Sequence, residues 1–207
     1  KERLDSEKLD NVFFINTCAV TKEAEKQAKK KIRKIKRNNP KAKIIVTGCS
    51  AQINPSNYKK MREVDLILGN EEKFKFEKYL NLLDKNESKV VVNDIMSVKE
   101  TAKHFIKGFD KKSRAFVQIQ TGCDHRCTFC TIPFGRGNSR SVSIENVCKQ
   151  IKILLTKGFK EIVLTGVDLT SYGKDLYEKP KLGDLIKEIL KKVKNLERLR
   201  LSSLDAI

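Results

Sequence analysis

Short apolar runs rich in β-branched and aromatic residues alternate along this chain with longer stretches of helical periodicity, an order that leaves few folds open. "NVFFINTC" (Asn11–Cys18), "KIIVTGC" (Lys43–Cys49) and "VDLILGN" (Val64–Asn70) each read as a buried strand between polar flanks. Between the first two, a helix running to about Lys36 keeps Ala24, Ala28, Ile32 and Ile35 in one narrow stripe, and most of its other positions are Lys or Arg. Strand, helix, strand at this spacing predicts parallel pairing with a right-handed crossover. A second series follows: strand "AFVQIQTG", helix "SIENVCKQIKILLTKGF" with Ser143 as N-cap, strand "EIVLTGVD", helix "LGDLIKEILKKVK" and strand "RLRLSSLD". Its helices carry stripes of Ile144, Val147, Ile151 and Leu154, and of Leu185, Ile186, Ile189 and Val193. Repeated strand–helix units fit part of a (β/α) barrel, whose chemistry sits at the C-terminal ends of the strands. The fold class is α/β.

Between the two series the chain is polar, charged and weakly patterned, which predicts a connection holding one short strand, "KVVVND". The expected division is 1–84, a connection over 85–113, and 114–207, with both domains incomplete. The missing initiator Met and the strand-like ending "LRLSSLDAI" predict a fragment lacking both termini. No apolar run reaches membrane-spanning length and no signal peptide is visible, so a cytoplasmic protein without a membrane partner is expected. Lys and Arg number 44 against 26 Asp and Glu, a formal net charge of +18. Such a balance points to a polyanionic partner, since phosphate contacts release counterions; solvated charge on ordinary helices is the alternative.

Six cysteines carry the chemistry. Cys123, Cys127 and Cys130, in "TGCDHRCTFC", are spaced C-x3-C-x2-C, and no fourth follows nearby. A disulfide framework suits small secreted domains rather than a chain of this size with an ample core. Zinc would need a fourth ligand, for which His125 is poorly placed in so tight a loop, and a redox C-x-x-C would leave Cys123 without a role. Thiolates suit an iron–sulfur cube, and three of them leave one iron open for a small molecule. Cys148 falls on the apolar stripe of its helix and reads as a packed core thiol.

"GCDHRCTFC" resembles the radical S-adenosylmethionine motif C-x3-C-x-aromatic-C, with Phe129 at the aromatic position. That resemblance implies a [4Fe–4S] cluster on Cys123, Cys127 and Cys130, with S-adenosylmethionine chelating the open iron. It also implies an external electron donor, whose electron cleaves the sulfonium to give a 5′-deoxyadenosyl radical. "NTCAVTKEAE" and "VTGCSAQINP" are similar to the amino-terminal domain of the methylthiotransferases, which holds a second [4Fe–4S] cluster through three cysteines. Cys18 and Cys49 supply two of these, each ending a parallel strand at the same sheet edge; the family's first cysteine would lie upstream of position 1.

The resemblance extends to "TIPFGRGNSRS", read as a glycine-containing loop, where Arg136 and Arg140 match a stretch beside the family's active site and become candidates for substrate binding. Gly166, Val167 and Asp168 end one strand, and Ser202, Ser203 and Asp205 the next, where such enzymes contact the cofactor. "LTGVDLTSYG" together with "QTGCDHRCTFCTIPFGRG" resembles the branch acting on N6-threonylcarbamoyladenosine beside the tRNA anticodon. Isopentenylated adenosine in tRNA and a ribosomal-protein aspartate are the alternative substrates. A radical enzyme of another reaction class and a non-catalytic nucleic-acid-binding protein with a structural cluster are the competing functions.

Overall fold

The computed structural model describes residues 11–83, 89–99 and 113–204. They form two compact units. The first takes the described part of Lys1–Val98 together with Arg126–Gly137, and the second the described part of Lys99–His125 together with Asn138–Ile207.

In the first unit, β1 (Val12–Thr17), β2 (Lys43–Gly48), β3 (Leu66–Leu68) and β4 (Lys89–Val91) form one parallel sheet in that order. The short strand expected within the connection is thus the fourth member of this sheet. Successive side chains of β2 go to opposite faces. Ile44 and Val46 join a core with Ile15, Ile32, Tyr58 and Ile67, whereas Ile45 joins Leu66, Leu68 and Leu83 on the other side. Burial on both faces explains why β2 is continuously apolar rather than alternating. Helix α1 (Lys22–Asn38) starts where the Thr21 hydroxyl accepts from the Ala24 amide at 3.1 Å, with Glu23 and Glu25 in its first turn and Lys36 and Arg37 in its last. Of its narrow stripe Ile32 is fully buried, while Ala28 and Ile35 pack partly. The short helices α2 (Cys49–Ile53) and α3 (Pro55–Lys59) follow β2, and a kinked 3₁₀ segment, Glu72–Leu82, packs Phe76, Tyr79 and Leu80 on the opposite face.

In the second unit, β5 (Arg114–Gln118), β8 (Glu161–Thr165) and β9 (Arg198–Leu201) form a parallel sheet in the order β5-β8-β9. Helices α5 (Ile144–Leu155) and α6 (Leu182–Lys192) bury Val147, Ile151 and Leu154, and Leu185 and Ile189, in its core; Val193, just past α6, joins them. Ser143 caps α5 through the Asn146 amide, and Cys148 lies in the same core, where burial pushes its thiol pKa up. At the N-terminal ends of the strands the Glu161 carboxylate meets Arg114 at 2.9 Å, Arg200 at 3.4 Å and Arg198 at 3.5 Å.

Four expectations are corrected. The first strand is not buried throughout: Phe13 and Phe14 are exposed, and of β1 only Ile15 and Thr17 are buried. "AFVQIQTG" is not one strand: Val117, Ile119 and Gln120 are all buried, so the alternation breaks at Ile119. The chain then turns into β6 (Gln120–Thr121), which pairs antiparallel with β7 (Arg140–Ser141). "TIPFGRGNSRS" is not simply a loop, since it contains the short helix α4 (Ile132–Arg136), which Pro133 enters at a first-turn position without needing an amide partner. The third strand is also shorter than Val64–Asn70, leaving Gly69 and Asn70 beyond its end.

Candidate functional site

Both units place their chemistry at the C-terminal ends of parallel strands. In the first, Thr17 and Gly48 are the last register partners of β1 and β2, so Cys18 and Cys49 follow at one sheet edge. Gly48 has φ +99°, and a Cβ there would lie 2.3 Å from the Thr17 carbonyl oxygen, so only glycine lets the strand ends close this far. The Thr17 hydroxyl fixes the same corner, donating to the Thr47 carbonyl at 2.6 Å and accepting from the Ala51 amide at 3.1 Å. Cys18 is exposed and its Sγ accepts from the Val20 amide at 3.4 Å; Cys49 is half-buried.

The segment Arg126–Gly137, which carries Cys127 and Cys130, belongs to this unit. The Cys130 amide donates to the Cys127 carbonyl at 3.0 Å in a tight turn that leaves Cys127 exposed, Cys130 half-buried and Phe129 87% exposed. Helix α4 packs on α2 and on the 3₁₀ turn Ile95–Ser97. The approach is tight, for a Cβ on Gly135 would sit 2.8 Å from the Cys49 Cβ and 3.2 Å from its Sγ. Asn70 seals the contact: its Nδ2 donates to the Gly135 carbonyl at 2.6 Å and to the Cys49 Sγ at 3.6 Å. Lys73 Nζ donates to the Asn70 Oδ1 at 2.7 Å. Burial pulls the Lys73 pKa below the ordinary lysine value; Cys49 opposes that and the Arg136 guanidinium adds to it.

In the second unit Gln120, 1% exposed, ties three strand-end segments together. Its Nε2 donates to the Gly122 carbonyl and to the Ser139 Oγ, both at 2.9 Å, while its Oε1 accepts from the Val167 amide at 2.8 Å and the Asp168 amide at 2.9 Å. Gly166 is required beside it, because a Cβ there would lie 3.0 Å from the Gln120 Oε1 and 2.6 Å from Leu169. Asp168 is 3% exposed; one carboxylate oxygen accepts from Thr170 Oγ1 at 2.6 Å, and the other faces His125 Nε2 at 3.4 Å. Burial pushes its pKa up, but the hydrogen bonds from Ser171 and Thr170 and the charge of His125 outweigh that, leaving it below the ordinary aspartate value. One ligand atom each of Cys123, His125 and Asp168 lies within 4.8 Å of the others, a set able to hold a metal ion.

Arg136 is exposed at the end of α4 in the first unit, whereas Arg140 is 7% exposed in β7 of the second. The Ser202 amide donates to the Leu164 carbonyl at 2.9 Å, Ser203 is exposed, and Asp205 lies outside the described residues. The structure thus gathers Cys18, Cys49, Cys127, Cys130 and Arg136 in one unit, and Cys123, Gly166, Val167, Asp168, Arg140 and Ser203 in the other. Asn70, Lys73 and Gln120 were not among the expected site residues. A signal existed for the two amides: each is a polar residue placed where an apolar strand meets its C-terminal edge.

Residues 2–69 match the family described as "Uncharacterized protein family UPF0004", and residues 117–204 match the radical SAM superfamily. A threonylcarbamoyladenosine tRNA methylthiotransferase, MtaB, of Rickettsia prowazekii (strain Madrid E) is 57% identical over 205 residues, which is 99% of this chain and 48% of that protein. The protein of the same name from Aquifex aeolicus (strain VF5) is 41% identical, over 98% of this chain and 49% of its own length. A ribosomal protein uS12 methylthiotransferase, RimO, of Dictyoglomus thermophilum is 37% identical over 86% of this chain and 41% of that protein. The chain therefore spans about half the length of the first two of these relatives. Among solved structures, the cobalamin-dependent S-adenosylmethionine radical enzyme OxsB superposes with a TM-score of 0.56 at 15% identity, covering 94% of this chain and 30% of that one. At that identity the likeness concerns the fold alone.

Proposed function

Because the chain belongs to the radical SAM methylthiotransferase family, we propose that it forms part of a tRNA methylthiotransferase adding a 2-methylthio group to N6-threonylcarbamoyladenosine beside the anticodon. The observation that carries this reading is the 57% identity, across 99% of the chain, to a relative of that name. Cys123, Cys127 and Cys130 would hold one [4Fe–4S] cluster, and Cys18 and Cys49 would give two thiolates to a second. The donor set fits: the thiols at Cys18 and Cys127 are exposed, those at Cys49, Cys123 and Cys130 are half-buried, and Lys73 and Arg136 supply positive charge beside Cys49. When bound, cluster and S-adenosylmethionine together supply one-electron cleavage chemistry, for which a separate electron donor is needed.

The chain's own residues bind and orient. Gln120 holds the backbone at Gly122, Val167 and Asp168 in one arrangement, and the buried Asp168 carboxylate offers an acceptor for the amino group of S-adenosylmethionine. Arg136, exposed at the end of α4, would face the tRNA substrate, whereas the buried Arg140 would support the substrate side only from within β7. The Lys- and Arg-rich surface of α1 would meet the phosphates, consistent with the net charge of +18. No helix among the described residues is long and apolar enough to cross a membrane.

The test is mass spectrometry of tRNA nucleosides from a strain lacking this protein. The expected result is loss of 2-methylthio-N6-threonylcarbamoyladenosine, restored by the wild-type protein. Persistence of that nucleoside, with loss instead of the isopentenyl analogue or of the ribosomal-protein modification, would reassign the substrate.

A further inference from the structure

We propose that Asn70 is the positioning residue that locks the Cys127/Cys130 segment onto the Cys49 edge. It acts as a hydrogen-bond donor from outside both cysteine motifs. The inference rests on the cluster reading above only for its functional meaning; the contact itself is a property of the cluster-free chain.

Three features make Asn70 more than filler. It is 9% exposed, and its backbone amide and both side-chain polar atoms have partners: the amide donates to the Gln52 Oε1 at 2.8 Å, the Oδ1 accepts from Lys73, and the Nδ2 serves both Gly135 and Cys49. The amide cannot be turned over. A lysine ammonium has no lone pair to offer and a carbonyl has no proton to give, so Lys73 on one side and Gly135 on the other fix which end is nitrogen. Finally, Gly135 presses on Cys49 closely enough to exclude a Cβ, so displacing its carbonyl also displaces the neighbour of that thiol. One side chain thereby sets where the segment bearing Cys127 and Cys130 lies relative to Cys49. In the assembled enzyme an N–H···S contact of this kind also tunes the reduction potential of a cluster held by that sulfur.

The test compares wild type, Asn70→Asp and Asn70→Ala in the full chain, anaerobically and without iron. Hydrogen exchange is followed at the Gly135 and Gly137 amides, which bond to the carbonyls of Thr131 at 3.2 Å and Pro133 at 2.7 Å. Alkylation of Cys49 by iodoacetamide gives a second readout, and the Ile162–Leu164 amides in the other unit serve as an internal reference. Asp keeps the size and the Lys73 partner but turns an acceptor toward the Gly135 carbonyl. A donor role therefore predicts about tenfold faster exchange and faster alkylation in both variants, with Asp at least as affected as Ala. A space-filling role leaves Asp like wild type, and that result would overturn the inference even if Asn70→Ala failed to fold. Iron and sulfide uptake by the wild-type chain tests the cluster reading separately, so the two can fail independently.

Discussion

The two strand-end edges solve the same construction problem with different charged groups. Each has a buried carboxamide just beyond or at a strand terminus, Asn70 in the first unit and Gln120 in the second, holding several segments in register. Around Asn70 the charged groups are Lys73, on which Arg136 and the Cys49 thiol act, and the buried Glu72 carboxylate, which accepts from the Asn93 side-chain amide. Around Gln120 the charge is the Asp168 carboxylate, with His125 against it. A lysine held beside a thiol suits an anionic, sulfur-rich ligand; a carboxylate facing an imidazole at the strand end suits the ammonium group of an amino acid. Similar α/β edges are thus differentiated by which charged groups their amide scaffolds hold.

The largest expected effects separate the edges by chemistry. In reconstituted full-length enzyme, Cys127→Ala should reduce S-adenosylmethionine cleavage to background, measured as 5′-deoxyadenosine released per enzyme. Cys49→Ala should leave that cleavage intact and abolish methylthio transfer to tRNA. Undiminished cleavage in Cys127→Ala would remove the radical assignment, and equal loss in both variants would merge the two edges into one site.

Next in size is the scaffold of the second edge. Gln120→Ala leaves the amides of Val167 and Asp168 without their acceptor and Ser139 without its donor. Unmet buried groups should lower stability by about 3 kcal/mol, read from urea unfolding. Gln120→Glu retains the acceptor but turns a second acceptor, on a buried charge, toward the Gly122 carbonyl, so it should be at least as damaging as Gln120→Ala. Glu161 provides the control at the far end of the same strands. Its three arginine partners are about half exposed, so Glu161→Gln should cost only about 1–2 kcal/mol and leave S-adenosylmethionine binding unchanged.

Parallel pairing, helix stripes and the Ser143 cap were legible because each is written in local periodicity or one capping residue. The cysteine placements were legible for the same reason: Cys18 and Cys49 each sit one residue past the end of a strand that its apolar run marks, although β1 is not the buried strand that run suggests. The break at Ile119 and the helix at Ile132–Arg136 were not, since both depend on contacts distant in sequence, β7 for the first and α2 for the second. Asn70 and Gln120 stayed hidden because an amide's role lies in what it bonds. Their partners are Gly135, 65 residues away, and Val167 and Asp168, 47 and 48 residues away.

The smallest effect, and the one that addresses the charge contrast most directly, is in the pH dependence of stability. Asp168 has a folded pKa below its ordinary value, so its charged form stabilises the second unit above that ordinary value. The contribution fades as pH falls through the ordinary value toward the folded one, because the unfolded chain takes up its proton first. Lys73 is also lowered, but for a cation that means the folded state resists carrying the charge. Between its folded pKa and the ordinary lysine value the unfolded chain binds more protons, so stability of the first unit rises with pH there. Exchange measured unit by unit across pH should show an acid limb in the second unit that Asp168→Asn flattens, and an alkaline rise in the first that Lys73→Met removes. Both limbs rise with pH, the second unit's in the acid window and the first unit's in the alkaline one. Limbs in the same window, or limbs indifferent to these substitutions, would show that the two edges do not rest on different titrating groups.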